Sequence, residues 1–339
     1  MFSVSTIRIR GVGLYAPGEA IDNAELSRLA GVEFDAARLE EKIGIRRRHI
    51  ARLRGCLEST ADFATRAAER ALADAGVDAQ EVGLFIVGTD TPEFISPSTA
   101  IVVQGRIQRS ERYAGAFDIN ASCASFAIAF DTAARIVASD PAISYAVVVG
   151  AYNMPAYVRD GDSFGYSIFA DGAAAIVLER TDGGGESRYL DGQLLTDGTQ
   201  WDFIGVYAGG TRRPVTRERL AAGEYGLQLL KPLPGQRNVQ LWPPMVRRLL
   251  AKAGKGIGEI DHILFTQINR SVILQVLAIL GLPEEKTTMI MDRYGYTGSA
   301  CIPMAFYHAV TEGRIERGDL VMFVASGAGL AVGANLFVY

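Results

Sequence analysis

Cys123 is the residue of this chain best placed to form a covalent bond to a substrate. It lies in the stretch Ala114–Ser139, AGAFDINASCASFAIAFDTAARIVAS. A short apolar strand (Phe117, Ile119) leads into a polar elbow at Asn120–Ser122. Beyond it Phe126, Ile128, Ala129, Phe130, Ala133, Ile136 and Val137 recur at helical spacing, which predicts a helix starting at Cys123. A thiol in the first turn of a helix meets outward-pointing N–H groups and the positive end of the dipole. That field favours thiolate over thiol and so supplies a nucleophile for a carbonyl carbon. Ala121, Ser122, Ala124 and Ser125 are small and leave room for such a carbonyl. A cysteine in an apolar run is also an ordinary core residue, so the surrounding elements have to decide its role.

Those elements alternate between strand and helix. Thr6–Leu14 alternates as a strand, and Asn23–Leu29 is a polar helical segment followed by the basic run Gly44–Arg54. Ser59 and Thr60 cap an alanine-rich helix that Gly76 stops. Val82–Gly88 is a continuous apolar run, as expected of a strand covered on both faces. A helix at Thr99–Gln108, the cysteine stretch, and strands at Ser144–Gly150 and Ala173–Glu179 complete the first half. TDGGGES, Thr181–Ser187, is the expected boundary, dividing the chain into residues 1–182 and 183–339.

The same order then returns. A strand near Tyr189–Leu195 and a long irregular insert precede a helix at Trp242–Ala253. Further on come a strand at Ile260–Thr266, a helix at Asn269–Gly281, a strand at Thr288–Met291, a helix at Gly298–Gly313, and strands at Leu320–Ala325 and Ala334–Tyr339. Two halves of matching order imply a duplicated α/β unit, βαβαβαββ in each half. Sites in such sheets gather beyond the carboxyl ends of the strands. Cys123 falls there in the first half, Thr266 and Tyr296 in the second.

Composition narrows the function classes. Hydrophobic content of 49% with 21% charged residues predicts a well-cored globular chain, and a net charge of −4 gives no general attraction to nucleic acid or anionic membrane. No apolar run reaches membrane-spanning length, and the N-terminus reads as a strand, not a signal peptide. Cys56, Cys123 and Cys301 are too scattered for a metal motif or a disulfide framework, which points to a reducing cytoplasm.

The chain resembles the thiolase superfamily, specifically the ketoacyl-ACP synthase III group, over essentially its whole length. GIRRRH (Gly44–His49) resembles that family's G-I-R-x-R-H, and TDTPEFISPSTAIVVQ (Thr89–Gln104) its T-x-T-P-D…P-S-x-A stretch. NASCASF (Asn120–Phe126) resembles the N-A-A-C-A-G-F nucleophile elbow. FADGAAAIVL (Phe169–Leu178) is similar to F-G-D-G-A-G-A, and SGAGLAVGANL (Ser326–Leu336) to the closing Gly-rich hairpin. The resemblance implies a thiolase-like fold, α/β in five layers, α-β-α-β-α. It also implies an oxyanion hole made by backbone N–H groups near Ala328 and Gly329 with that of Cys123.

In the family the cysteine works with a histidine in P-H-Q-A-N and an asparagine in G-N-T-S. The matching segments here are FTQIN (Phe265–Asn269) and YGYTGSACIP (Tyr294–Pro303). They put Thr266 where the histidine belongs and Tyr296 where the asparagine belongs, while keeping Gln267, Asn269, Gly295 and Thr297. None of the three histidines replaces the base. His49 belongs to the basic segment, His262 lies roughly 13 Å along the strand from Thr266, and His308 is well inside a helix.

Acyl transfer to the cysteine needs thiolate and an oxyanion hole; decarboxylation of a malonyl thioester needs strong donors on the enolate oxygen, which the histidine and asparagine supply. The expected activity is therefore acyl transfer from a carrier-protein or coenzyme A thioester through Cys123 to a nucleophilic acceptor, in secondary metabolism. Thr266 and Tyr296 are expected to fill space and position substrate. An alcohol acceptor would need a base that these motifs do not provide. The alternatives are decarboxylative condensation with an unusual site, and a non-catalytic subunit of a heterodimer.

Carrier recognition is assigned to the basic segment, Arg46, Arg47, Arg48, Arg52 and Arg54, together with Asn269 and Arg270. A stacking tryptophan before G-I-R has no counterpart; Arg38 falls near there, which favours a carrier-bound donor. No metal and no cofactor beyond the thioester substrate is expected. The resemblance implies a homodimer, with Pro92–Pro97 reaching across it and Phe117–Ile119 pairing at its axis. The insert Gln200–Gln240 is read either as a wall of an acyl tunnel or as surface cover.

Overall fold

The apolar run read as a doubly covered strand sits at the heart of a five-stranded sheet. Its members are β1 (Thr6–Tyr15), β2 (Val82–Gly88), β3 (Gly115–Ile119), β4 (Tyr145–Tyr152) and β5 (Gly172–Thr181), in the order β1-β5-β4-β2-β3. β2 runs parallel to both neighbours, and β5 is antiparallel to β1 and β4. A second sheet comes from the later residues: β6 (Arg188–Gln200), β7 (His262–Phe265), β8 (Leu320–Gly327) and β9 (Gly329–Val338), in the order β7-β8-β9-β6. The computed structural model describes residues 6–181 and 187–339, so residues 182–186 of the expected boundary lie outside the described residues.

Six longer helices make the remaining layers. α1 (Thr60–Ala75) and α2 (Thr99–Gln108) cover the outer face of the first sheet. α3 (Ser125–Ser139) and α6 (Cys301–Thr311) fill the space between the sheets, and α4 (Arg237–Lys252) and α5 (Arg270–Leu280) close the far side. The result is the thiolase-like α-β-α-β-α sandwich. Its centre is an aromatic cluster in which Phe323 stands 5.6 Å from Phe130, 4.8 Å from Phe337 and 5.3 Å from Phe306 between ring centroids. α3, α6 and the second sheet thus share one core.

Local signals explain most boundaries. At α1 the Asp62 side chain accepts from the Ser59 backbone N–H at 2.8 Å in a capping box, and Gly76 ends the helix in the left-handed conformation. Three expectations need correction. The helix after the elbow starts at Ser125, two residues beyond Cys123, because Ala121–Ala124 is a tight turn with bonds Ala124 N–H to Ala121 O and Ser125 N–H to Ser122 O. α4 begins at Arg237, five residues before the expected Trp242. The expected strand at Thr288–Met291 does not form. Its backbone is satisfied by a side chain instead: Gln267 accepts from Ile290 N–H at 2.9 Å and donates to the Thr288 carbonyl at 3.2 Å.

Candidate active site

Strand ends from both sheets converge on one cavity of about 630 Å³. β3 delivers Asn120–Cys123, β4 delivers Tyr152, and the β8–β9 hairpin delivers Ser326–Gly329. Ser122 sits in the left-handed region at φ 51°, a conformation a non-glycine residue adopts only when its surroundings impose it. The hairpin touches the elbow at Gly327, where a Cβ would lie 2.9 Å from the Cys123 nitrogen and 2.4 Å from the Ala121 carbonyl oxygen. Only glycine lets the two halves meet there. Ala328 and Gly329 line the same cavity as Cys123.

The electrostatics of the thiol differ from the expectation. Burial pushes the Cys123 thiol up to about 12, and the nearby Asp90 carboxylate adds to the rise. Hydrogen bonds from Tyr296 and Ser122 pull in the opposite direction. On balance the surroundings favour the thiol over the thiolate.

Thr266 does not line the cavity. Its Oγ1 accepts the Ser326 backbone N–H at 2.9 Å, and the Trp242 indole N–H donates to the Ser326 hydroxyl at 2.6 Å. Trp242 in turn stacks on Phe265 with centroids 5.0 Å apart. Thr266 therefore braces the hairpin and is not placed to touch substrate. Tyr296 does line the cavity, packed near Tyr152 and Phe169, with its hydroxyl directed to Cys123. Burial holds the Tyr296 phenol well above its usual range, so it acts as a neutral donor.

Other assigned residues are corrected. Arg48 is fully buried, donates to the Ser167 carbonyl at 3.0 Å and cannot meet a carrier protein. Asn269 caps α5, accepting from Val272 N–H at 3.3 Å, and does not line the cavity. Arg54 is forked onto Glu25, and Arg270 pairs with Glu284 at 3.0 Å beside Arg46, Glu40 and Glu41, a surface of mixed sign. Arg47 is exposed. The insert is more than cover: Trp201, Ile204, Val206, Tyr207, Leu227 and Leu233 all line the cavity. The histidines lie elsewhere. His262 bonds Thr288 at 2.9 Å and is held down to about 4 by burial and by the Arg314 and Lys286 charges. His49 bonds the Pro17 and Gly18 carbonyls, and His308 meets Glu312 at 3.0 Å.

Sequence reasoning missed Asp90. It stands two residues beyond the carboxyl end of β2, its Oδ2 accepts from the Ser122 hydroxyl at 3.0 Å, and Ser122 Oγ lies 3.7 Å from Cys123 Sγ. Its Oδ1 is buried without a hydrogen-bond partner among the described residues. Burial raises the carboxyl to about 6. An acidic residue immediately after a central parallel strand was the available signal. Among the described residues no group of three or more His, Cys, Asp or Glu side chains is arranged to hold a metal, and no helix is long and apolar enough to cross a membrane.

Residues 117–198 match the 3-oxoacyl-[acyl-carrier-protein (ACP)] synthase III family, and residues 250–339 match its C-terminal counterpart. The chain is 33% identical over 331 residues to the beta-ketoacyl-[acyl-carrier-protein] synthase III of Symbiobacterium thermophilum, covering 98% of this chain and 97% of that protein. The crystal structure of 3-oxoacyl-[acyl-carrier-protein] synthase III from Aquifex aeolicus superposes with a TM-score of 0.83 at 29% identity, covering 98% of this chain and all of the other. The priming beta-ketosynthase of the R1128 polyketide pathway superposes with a TM-score of 0.85 at 26% identity, covering 98% and 96%.

Proposed function

Because the chain belongs to the beta-ketoacyl-[acyl-carrier-protein] synthase III family, we propose that it moves an acyl group through Cys123, from a pantetheine-type thioester to a nucleophilic acceptor. The observation that carries this reading is the way the two motif hydroxyls are spent: Thr266 on Ser326, Tyr296 on Cys123. Thr266 stands outside the cavity and Tyr296 is a neutral phenol, so neither offers a charged or strongly polarised donor to the enolate oxygen that decarboxylation develops. Acyl loading asks for less: Cys123 attacks the thioester carbonyl while backbone donors at Cys123, Ala328 and Gly329 take the charge on oxygen.

Arg237 and Asn238 line the same cavity with a buried Nε and Oδ1 that have no partner among the described residues. They suit the amides of a pantetheine arm. The donor is a carrier protein or coenzyme A, and no resident cofactor is needed. The free edge of β3 and the exposed Phe94 and Ile95 fit a homodimer of the kind the motifs imply. The similarity to a polyketide priming synthase favours a secondary-metabolite setting. The test is CO2 release from a malonyl-carrier thioester beside acyl loading of the same preparation, read by intact mass. Loading without matching CO2 release supports transfer; CO2 release at the loading rate with a β-keto product establishes condensation instead.

A further inference from the structure

We propose that Asp90 is the general base for the second half of the reaction, and that the acceptor it serves is an alcohol held in a second chamber beside the cysteine. The inference rests on the transferase reading above. The second chamber, about 530 Å³, is lined by Ile95, Tyr157, Arg159, Val206 and Tyr225. Asp90 and Val206 belong to the walls of both cavities, so the carboxylate stands at their junction. Two buried polar atoms on this wall have no partner among the described residues, Asp90 Oδ1 and Tyr225 Oη. Buried polar groups are nearly always paired, and a hydroxyl compound supplies what both lack: a proton for the carboxylate and an oxygen for the phenol.

The two carboxylate oxygens divide the work. An alcohol entering between the chambers gives its proton to Oδ1 as its oxygen attacks the Cys123 thioester carbonyl. The new ester C–O bond forms, the C–S bond breaks, and the thiolate leaves. The carboxyl proton passes from Oδ1 to Oδ2 by exchange with solvent; Ser122, 3.0 Å from Oδ2 and 3.7 Å from the sulfur, then gives its own proton to the thiolate and takes that one in its place. Asp90 ends ionised and Cys123 ends as thiol, the form its surroundings favour. The titratable groups beside the carboxylate, Cys123, Tyr152 and Tyr157, are uncharged at neutral pH. Among the described residues the one cation in the chamber wall, Arg159, is turned to the Gly223 carbonyl at 3.5 Å and makes no ion pair with Asp90. An amine acceptor needs no such base once unprotonated, which is why an alcohol is assigned.

The test loads wild type, Asp90→Asn, Asp90→Glu and Ser122→Ala with butyryl-pantetheine, then follows deacylation by intact mass with water, propan-1-ol or hydroxylamine. Removing a general base costs about 10²–10⁴-fold, so Asp90→Asn should pass its acyl group to water and propanol that much more slowly, a larger loss than any it shows in loading. Hydroxylamine, reactive without a base, should clear all loaded variants at similar rates. Deacylation of wild type by propanol should fall on the acid side of about pH 6, and the Asn variant should lack that limb. Partial recovery in Asp90→Glu supports the role. Equal deacylation of wild type and Asp90→Asn overturns it, as does a wild-type acyl-enzyme inert to both water and propanol. A loading defect in Asp90→Asn as large as its transfer defect also overturns it, and shows that the carboxylate reads the acyl donor. Wild type that never loads overturns instead the transferase reading itself.

Discussion

Thr266 holds Ser326. The threonine hydroxyl, just beyond β7, accepts the backbone N–H of Ser326 at 2.9 Å and so braces the hairpin that lines the cavity with Cys123. Replacing Thr266 by Val leaves a buried N–H unsatisfied, which costs about 1–3 kcal/mol. The expected result is a lower unfolding midpoint and slower acyl loading, both restored by Thr266→Ser. Loading unchanged in the Val variant would show that the hairpin needs no such support.

The Tyr296 hydroxyl is directed to Cys123, and on the proposed transferase reading it stabilises the thiolate. A hydrogen bond to a charged group is worth about 1.5–3 kcal/mol, so Tyr296→Phe should slow loading of Cys123 roughly 10–100-fold. The pH midpoint for alkylation of Cys123 should rise in the same variant. An unshifted midpoint would separate the phenol from the sulfur.

Arg47 and Arg48 are neighbours in sequence with opposite fates. Arg47→Glu should raise KM for a carrier-bound donor and leave butyryl-pantetheine nearly untouched. Arg48→Glu should instead destabilise the chain, because it buries a charge and orphans the Ser167 carbonyl. Circular dichroism melts beside the kinetics distinguish the two outcomes.

Asp171 gives a pH test of stability. It is buried, accepts from Ala51 N–H at 2.7 Å, and burial raises its carboxyl to about 8. A carboxyl raised on folding favours the folded chain in its neutral form. That stability is fully present below the unfolded value, about 3.9, and is lost as pH climbs through about 8. Asp171→Asn keeps the acceptor without the charge. Its melting temperature should gain on wild type as pH rises from 5 to 9, by at most about 1.4 kcal/mol of stability per pH unit. A constant gap would mean that the carboxyl is ionised in the fold.

The elements were legible where one physical signal dominated. Val82–Gly88 and Thr99–Gln108 fall where apolar continuity and helical spacing put them. Thr288–Ile290 does not, because a side chain brought from Gln267 takes over the ladder's role, a long-range event no local pattern records. Cys123 was legible from its elbow, but the state of its thiol was not: burial, with the charge of Asp90 added to it, raises it. The Arg46–Arg54 run illustrates the same limit, since composition sees five like charges and only packing separates buried Arg48 from exposed Arg47.

The insert that lines the acyl cavity belongs to neither sheet. Trp201, Ile204, Tyr207 and Leu227 shape the chamber, yet the elbow, the hairpin and the brace beneath it are anchored in other elements. The lining of this cavity and the elbow that carries Cys123 are therefore built on separate parts of the chain. A lining of another size could be set into this sandwich without moving the elbow that holds Cys123.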